Sequence, residues 1–304
     1  KSKIKKSGNK YFVMRHGEAE NNVKNIYSFD PNKYHLTEKG RNQVLEKIQE
    51  IKNNKITKIF SSPFLRTKET AIIIAEQLGI DIGEILYDDR IIELNFGDFS
   101  EKPMQECWDY QVKNQWQFDT QLPNGESYQD AKNRFGGFLY EIDKKYNAEN
   151  ILIVTHGIAQ EVLPTLILGS NKEGSYKIFL DKMKAGTGSL HRQNEFVSLP
   201  HNHNYELDLH RPYIDSVVLV DEEGVEFKRI PEVIDCWFES GSMPFAQDHY
   251  PFENKNWKEK NFPSGFVAEY IAQTRTWFYY THAISSTLFG EAPFKYVVTT
   301  GNIL

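Results

Sequence analysis

Cysteine is nearly absent. Cys107 and Cys236 are the only two in 304 residues, too few for a disulfide framework or a zinc ribbon, and the pattern fits a reducing, cytoplasmic setting. No apolar run is long enough to span a bilayer, since Ala71 to Ala75 is a short stretch inside a charged helical pattern. Residues 1–9 are lysine-rich but carry no signal-peptide core and no initiator Met. They are expected to be a solvated linker in a fragment of a longer protein. Positive charge is not in excess either: 36 Lys and Arg face 42 Asp and Glu, a formal net charge of -6. That excludes a chain-wide basic surface for nucleic acid. Internal repeats and low-complexity stretches are missing.

What is present is an ordinary globular composition, 39% hydrophobic and 13% aromatic, on a chain long enough for two domains. Tyr11 to Met14 reads as a buried strand meeting a loop at Arg15-His16-Gly17-Glu18. Leu36-Thr37-Glu38-Lys39-Gly40 opens a helix capped by Thr37, with Val44, Leu45, Ile48 and Ile51 on its apolar face. Ile56 to Phe60 is a second strand. A helix from Leu65 to Leu78 stops at Gly79. Residues 98–122 form a helical excursion, and Ser127 to Tyr146 reads as another helix. Ile151 to Thr155 is a strand, followed by a helix to Leu168. Alternating strands and helices predict a three-layer α/β domain over 10–196. Residues 197–205 read as a linker. Beyond them lie short β stretches at 216–220 and 225–230, a long helix from Val267 to Leu288, and a strand from Tyr296 to Thr300.

Four features fall at the ends of predicted strands or in the loops between them, where open α/β sheets build their sites. They are Arg15-His16-Gly17-Glu18, Ser61-Ser62-Pro63 with Arg66, Ile92-Glu93-Leu94-Asn95-Phe96-Gly97, and Thr155-His156-Gly157. A neutral imidazole can attack phosphorus and split hydrolysis into two displacements. Guanidiniums hold phosphate oxygens in a planar fork. A carboxylic acid protonates the leaving oxygen, then helps water attack the phosphohistidine. An isolated Arg-His-Gly is commonplace; the four together, in this order, are not.

Over about residues 10–195 these motifs, with Leu36–Gly40 and Gly125-Glu126-Ser127 before a helix, resemble the histidine phosphatase superfamily, which includes cofactor-dependent phosphoglycerate mutases. The resemblance implies that His16 is the nucleophile, that Arg15, Arg66 and His156 hold the phosphate, that Glu93 is the proton donor and that Asn22 adds a phosphate contact. The implied substrate is a small phosphorylated molecule, with no cofactor. The modest cover offered by 98–122 favours hydrolysis over a mutase reaction, which must shield its phosphohistidine from water. A domain that keeps the pocket as a phosphate-binding or spacer module, without turnover, is the alternative.

A second set of stretches, Glu206–Asp215, Pro231–Ser242 and Ala268–Phe278, running on to Leu304, resembles class I aminoacyl-tRNA synthetases of the isoleucine type. The implied architecture of 206–304 is a partial class I synthetase nucleotide-binding (Rossmann-like) segment. The resemblance implies that Trp237, Glu269, Gln273 and Trp277 line an aminoacyl-adenylate pocket. Its Trp rings suit an aliphatic side chain, and its polar groups an ammonium or amide. The parent would use ATP with Mg, isoleucine and tRNA(Ile). The chain departs from the family at Tyr270 and Ala272, where relatives carry Gly and an Asp near the ribose hydroxyls. It contains neither the His-Ile-Gly-His nor the Lys-Met-Ser-Lys-Ser signature, so activation of an amino acid is not expected of it alone. His201 and His203, with His191 and His210 nearby, lack a carboxylate or cysteine at ligand spacing, and no metal site is expected.

Overall fold

The computed structural model describes residues 3–182, 186–193, 196, 198–232 and 235–301. Val233, Ile234 and Leu304 of the synthetase-like stretches, and residue 197 of the expected linker, lie outside the described residues. Contacts divide the chain into two compact units, Lys1–Arg229 and Ile230–Leu304.

In chain order the first unit contains β1 (Lys3–Ile4), β2 (Lys10–Arg15), α1 (Glu20–Val23), α2 (Glu38–Asn53), β3 (Lys58–Ser61) and α3 (Leu65–Leu78). There follow β4 (Leu86–Tyr87), α4 (Met104–Lys113), α5 (Tyr128–Lys145), β5 (Asn150–Thr155) and α6 (Gly157–Ile167). It ends with α7 (Lys172–Lys182), β6 (Leu190–Gln193), β7 (Leu219–Val220) and β8 (Glu226–Phe227). The second unit has α8 (Cys236–Ala246), α9 (Trp257–Asn261), β9 (Ser264–Tyr270), α10 (Trp277–Phe289) and β10 (Phe294–Thr300).

The central sheet has five strands in the order β4-β3-β5-β2-β6. β2, β5, β3 and β4 run parallel, and β6 pairs antiparallel to β2. The period-2 alternation of strands decides the layering. Tyr11 and Val13 pack with Ile151 and Ile153 onto Phe135, Phe138 and Leu163 of α5 and α6. Phe12 and Met14 pack with Leu152 and Val154 onto Val44, Ile48 and Ile74 of α2 and α3. Buried on both faces, the sheet makes a three-layer α/β unit. A third cluster, including Phe96, Phe99, Trp116, Phe118, Tyr128 and Phe179, seats the α4 excursion.

Local chemistry sets the helix ends. Thr37 accepts a hydrogen bond from Gly40 N at 3.0 Å, Ser127 and Asp130 form a capping box, and Gly79 terminates α3 at φ 70°. Leu45, expected on the apolar face of α2, is instead 45% exposed, because the buried stripe follows Gly40, Val44, Ile48 and Ile51 at spacings of 3 and 4.

The segments expected as linkers are structured. Lys3–Ile4 pairs antiparallel with Leu219–Val220, within a three-stranded ribbon ordered β1-β7-β8. Residues 198–207 dock on the phosphatase-like layer: Tyr205 packs against Tyr140 and stacks on His201, while Leu207 N donates to Gly169 O at 2.8 Å. By contacts, residues up to Arg229 therefore cluster with the first unit.

In the second unit the helix expected from Val267 starts only at Trp277. Ser264–Tyr270 is a strand, parallel to β10 with Val267 opposite Val297 and Tyr270 opposite Thr300. Partnership with a strand some thirty residues on overrides the helical look of Ala268–Gln273. α8 and α10 pack closely at Gly241, where a Cβ would stand 2.9 Å from the backbone of Tyr280. Among the described residues no helix is long and apolar enough to cross a membrane.

Candidate active site

β3, β5 and β2 are adjacent and parallel, so their C-terminal ends open at one edge of the sheet. That edge receives Ser62 after β3, His156 after β5 and His16 after β2. The loop carrying His16 is pressed against the start of α2. A Cβ on Gly17 would stand 2.3 Å from Gly40 O, and one on Gly40 would stand 2.0 Å from Glu18 O. Two glycines permit this backbone-to-backbone approach, which explains the glycine closing the Leu36–Gly40 element.

His16 is buried, and its Nδ1 lies 2.7 Å from Gly17 O. A carbonyl only accepts, so Nδ1 carries the hydrogen and Nε2 presents its lone pair. Arg66 Nε donates to that Nε2 at 3.2 Å. The rings of His16 and His156 stand edge to face with centroids 5.3 Å apart. Burial above all, then the Arg66 and Arg15 guanidiniums, hold the His16 imidazole well below the usual histidine range. It is neutral at pH 7.

His156 spends both ring nitrogens. Arg66 Nη2 reaches Nδ1 at 3.2 Å, which makes Nδ1 the acceptor and Nε2–H the donor to Ser62 Oγ at 2.7 Å. Direct donation from His156 to a phosphate requires its Nε2–H to leave Ser62 Oγ. Burial, then Arg66, keep it neutral as well. Arg66, 2% exposed, also donates to Ser28 O at 3.4 Å and lies over the Phe64 ring. Burial pulls its guanidinium down to about 10.

Glu93 is buried on the loop before Leu94, and its carboxyl accepts from Leu94 N at 2.9 Å. It is an electrostatic neighbour of Arg66. Arg15 lies against the first turn of α6, its Cζ 3.3 Å from where a Cβ on Gly157 would stand. Asn22 has a local use: its Oδ1 accepts from Ala19 N at 2.9 Å and caps α1. His16, Arg66 and His156 are thus in direct contact, with Arg15 and Glu93 acting on them electrostatically.

Several residues were not assigned from sequence. Ser62 orients His156. Arg134 donates to the carbonyls of Arg90, Ile92 and Glu93 at 2.8–2.9 Å and pairs with Glu126, so one guanidinium holds the Glu93 loop. Thr155 Oγ1 ties the same loop to β5 through Ile91 O at 2.6 Å. The Gly125-Glu126-Ser127 motif pointed at Glu126; nothing local pointed at Arg134, one and a half helical turns into α5.

In the second unit Trp237, Glu269, Gln273 and Trp277 line one cleft of about 350 Å³ with Ser240 and Met243. Trp277 Nε1 donates to Ser240 O at 3.1 Å, and Gln273 Oε1 accepts from Trp277 N at 3.1 Å. Among the described residues no group of three or more His, Cys, Asp or Glu is arranged to hold a metal ion. His201 is engaged with Tyr140 and Tyr205.

A phosphatase-type α/β unit with a histidine pair at its sheet edge is the class that this geometry defines. The chain belongs to the histidine phosphatase superfamily (branch 1), whose family model matches residues 11–195. The model of class I tRNA synthetases (I, L, M and V) matches residues 178–304. That C-terminal part is similar to the isoleucine–tRNA ligase of Wolbachia sp. subsp. Brugia malayi, 54% identical over 101 residues, covering 32% of this chain and 9% of the ligase. It is likewise similar to that of Clostridium kluyveri, 54% identical over 100 residues, 33% of this chain and 10% of the ligase. The chain thus spans about a tenth of these ligases' length. Two solved structures share the fold. The mycobacterial glucosyl-3-phosphoglycerate phosphatase has a TM-score of 0.52 at 20% identity, over 60% of this chain and 90% of that one. A phosphoserine phosphatase from Entamoeba histolytica has a TM-score of 0.51 at 24% identity, over 60% and 89%.

Proposed function

We propose that the first unit hydrolyses a phosphomonoester through a phosphohistidine on Nε2 of His16. The observation that carries this reading is the fixed tautomer: Nδ1–H is committed to Gly17 O, leaving Nε2 neutral and facing Arg66. In the first displacement Arg66 Nε turns from Nε2 to a phosphate oxygen, and the freed lone pair of Nε2 forms a bond to phosphorus as the P–O bond of the leaving group breaks. The Glu93 carboxyl passes its proton to the departing oxygen. In the second, water attacks phosphorus and gives its proton to the Glu93 carboxylate as the P–Nε2 bond breaks, its electron pair returning to Nε2, and inorganic phosphate leaves. Arg15 and Arg66 spread the charge of the transferring group. Fixed donors of this kind are worth about 3–4 kcal/mol each. His156 keeps Arg66 aligned through its Nδ1, and its Nε2–H passes from Ser62 Oγ to a phosphate oxygen.

The test is hydrolysis of an aryl phosphate by the full chain, with rapid quenching to trap acid-labile phosphate. The expected result is a burst of base-stable, acid-labile phosphate lost in His16→Ala. Phosphate binding without a trapped intermediate would assign the domain to the non-catalytic alternative.

For the second unit we propose that it is a piece of an isoleucyl-tRNA synthetase whose parent activates isoleucine with ATP and Mg and charges tRNA(Ile). The cleft of Trp237, Glu269, Gln273 and Trp277 fits the amino-acid end of such a site, apolar walls with an acceptor for an ammonium. The residues present do not fit ATP with Mg, because the phosphate-binding signatures are missing from the chain. No step through ATP is assigned to it. Isoleucine-dependent pyrophosphate exchange should be undetectable with this chain and present in the full parent.

A further inference from the structure

The segment between α1 and α2 lies as a splint along the start of α3, touching three successive residues there. The Phe29 ring stands edge to face on Phe64, with centroids 5.6 Å apart. Pro31 O accepts from Leu65 N at 2.7 Å. Ser28 O accepts from Arg66 Nη2 at 3.4 Å. Phe64 in turn meets the His156 ring edge to face, centroids 5.0 Å apart. When Arg66 Nε turns from His16 to the phosphate, Ser28 O is an anchor that stays with the guanidinium.

One carboxyl closes this segment on itself. Glu101 Oε1 accepts from Ser28 Oγ at 2.5 Å, while its Oε2 accepts from Tyr34 Oη at 2.6 Å and from Lys33 Nζ at 2.5 Å. It therefore holds both ends of the stretch 29–32, which carries the contacts to Phe64 and Leu65. Ser28 and Tyr34 are buried, and hydroxyls donating to a carboxylate make strong, directional bonds. Backbone pairing brings Glu101 into place. Its N donates to Tyr27 O at 2.8 Å, Tyr27 N donates to Lys102 O at 3.2 Å, and Phe29 N donates to Ser100 Oγ at 3.2 Å. Glu101 itself sits at φ 66°, in the left-handed region where Gly is the default residue. The turn gains nothing from a side chain at that position; the splint does. We propose that Glu101 is a positioning residue for phosphate capture, clasping Ser28 to Lys33 and Tyr34 and so fixing the segment that seats Arg66. The proposal rests on the reading that Arg66 receives the phosphate. Without the carboxyl, the guanidinium meets the phosphate in a wider spread of orientations.

Binding of inorganic phosphate to the full chain is measured by calorimetry, and hydrolysis of p-nitrophenyl phosphate by steady-state kinetics. Glu101→Gly removes the carboxyl and suits the left-handed backbone, so it should melt within a few degrees of the unmutated chain. It should bind phosphate about tenfold more weakly and lose at least about tenfold in kcat/KM, the effect of a loosened charged contact. Glu101→Gln, whose amide oxygen still accepts from one hydroxyl, should recover part of the loss. Arg66→Met removes the group being positioned, so adding Glu101→Gly to it should cost less than about twofold in kcat/KM. A merely structural clasp would instead lower the melting temperature and cost both backgrounds alike. Phosphate affinity within about twofold of the unmutated chain in Glu101→Gly, or a loss of about tenfold that persists beside Arg66→Met, overturns the proposal. Turnover that Glu101→Gly leaves undiminished sinks this inference and keeps the phosphatase reading intact. Phosphate binding without turnover sinks the phosphatase reading, and the binding ratio of Glu101→Gly then decides the clasp by itself. An unmutated chain that binds no phosphate overturns both.

Discussion

Arg66→Met separates what the site needs for chemistry from what the fold needs for stability. The guanidinium is almost fully buried, and burial lowers it from 12.5 to about 10. Both folded and unfolded chains keep Arg66 charged at pH 7, so the shift means that folding costs about 3 kcal/mol to desolvate the cation, at about 1.4 kcal/mol per unit. Replacement by Met removes that cost and keeps packing on the Phe64 ring. Against it, the acceptors Ser28 O, His16 Nε2 and His156 Nδ1 lose their donor. At about 1 kcal/mol each, the low end of the cost for a buried group left unpaired, these losses nearly cancel the gain. Stability from urea unfolding should therefore stay within about 1.5 kcal/mol of the unmutated chain. That is small for a buried residue with three polar contacts. Turnover of p-nitrophenyl phosphate should fall by about 10²–10³, the usual loss for one preorganised donor. A variant destabilised by more than about 3 kcal/mol, or one hydrolysing within tenfold of the parent, would refute the reasoning.

Three further outcomes are expected. Ser62→Ala leaves the buried Nε2–H of His156 without an acceptor, so unfolding free energy should drop by about 1–3 kcal/mol and kcat should fall with it, read by urea titration and steady-state kinetics. Between pH 6.5 and 5 the unfolded chain protonates His16 and His156 while the folded chain does not. Stability should therefore decline as pH falls, by up to about 1.4 kcal/mol per unit per histidine. Glu161 works the opposite way, because the folded chain keeps a proton that the unfolded one releases between about 4.5 and 8. Glu161→Gln should therefore steepen the acid loss; an unchanged slope by chemical denaturation at pH 5, 6 and 7 would count against both assignments. Arg134→Lys keeps charge but cannot span the carbonyls of Arg90, Ile92 and Glu93, so kcat should fall while inorganic phosphate still binds.

Much of the first unit was readable because its signals are local. Thr37, Gly79 and Ser127 mark helix ends by their own side chains or by left-handed backbone, and they do so where expected. Strand ends bearing Arg15-His16 and Thr155-His156 were readable because buried parallel strands are continuous apolar runs. Residues that act across the fold were not. Ser62 matters only because β3 lies beside β5, and Arg134 only because α5 passes the Glu93 loop. The same blindness misplaced the helix expected at Val267: Val267, Ala268 and Glu269 look helical in isolation, yet they are paired with Val297, Val298 and Thr299. Residues 197–205 looked like a tether because they are polar with Pro200 and two His, but Tyr205 fits where Gly136 leaves no Cβ in the way.

The two units differ sharply in how well they bury their own sheets, and stability should follow. β2 and β5 are covered on both faces, with Phe12, Val13, Leu152 and Ile153 all at or below 1% exposure. β9 and β10 form a parallel pair with little cover: Phe266 is 65% exposed, Tyr296 72% and Val298 51%. Parallel strands depend on burial on both sides, and two strands alone are marginal. A cleft of about 740 Å³, with Phe262, Phe266 and Phe294 among its lining residues, also opens in this unit. Each large side chain left out of the core forfeits about 1.5–3 kcal/mol, enough to decide the fate of a unit of this size. Hydrogen exchange on the full chain should therefore give amides of β2 and β5 protection close to global unfolding, while those of β9 and β10 exchange through local opening several kcal/mol lower. Equal protection in both sheets would mean that the second unit is stabilised by something other than burial of its own strands.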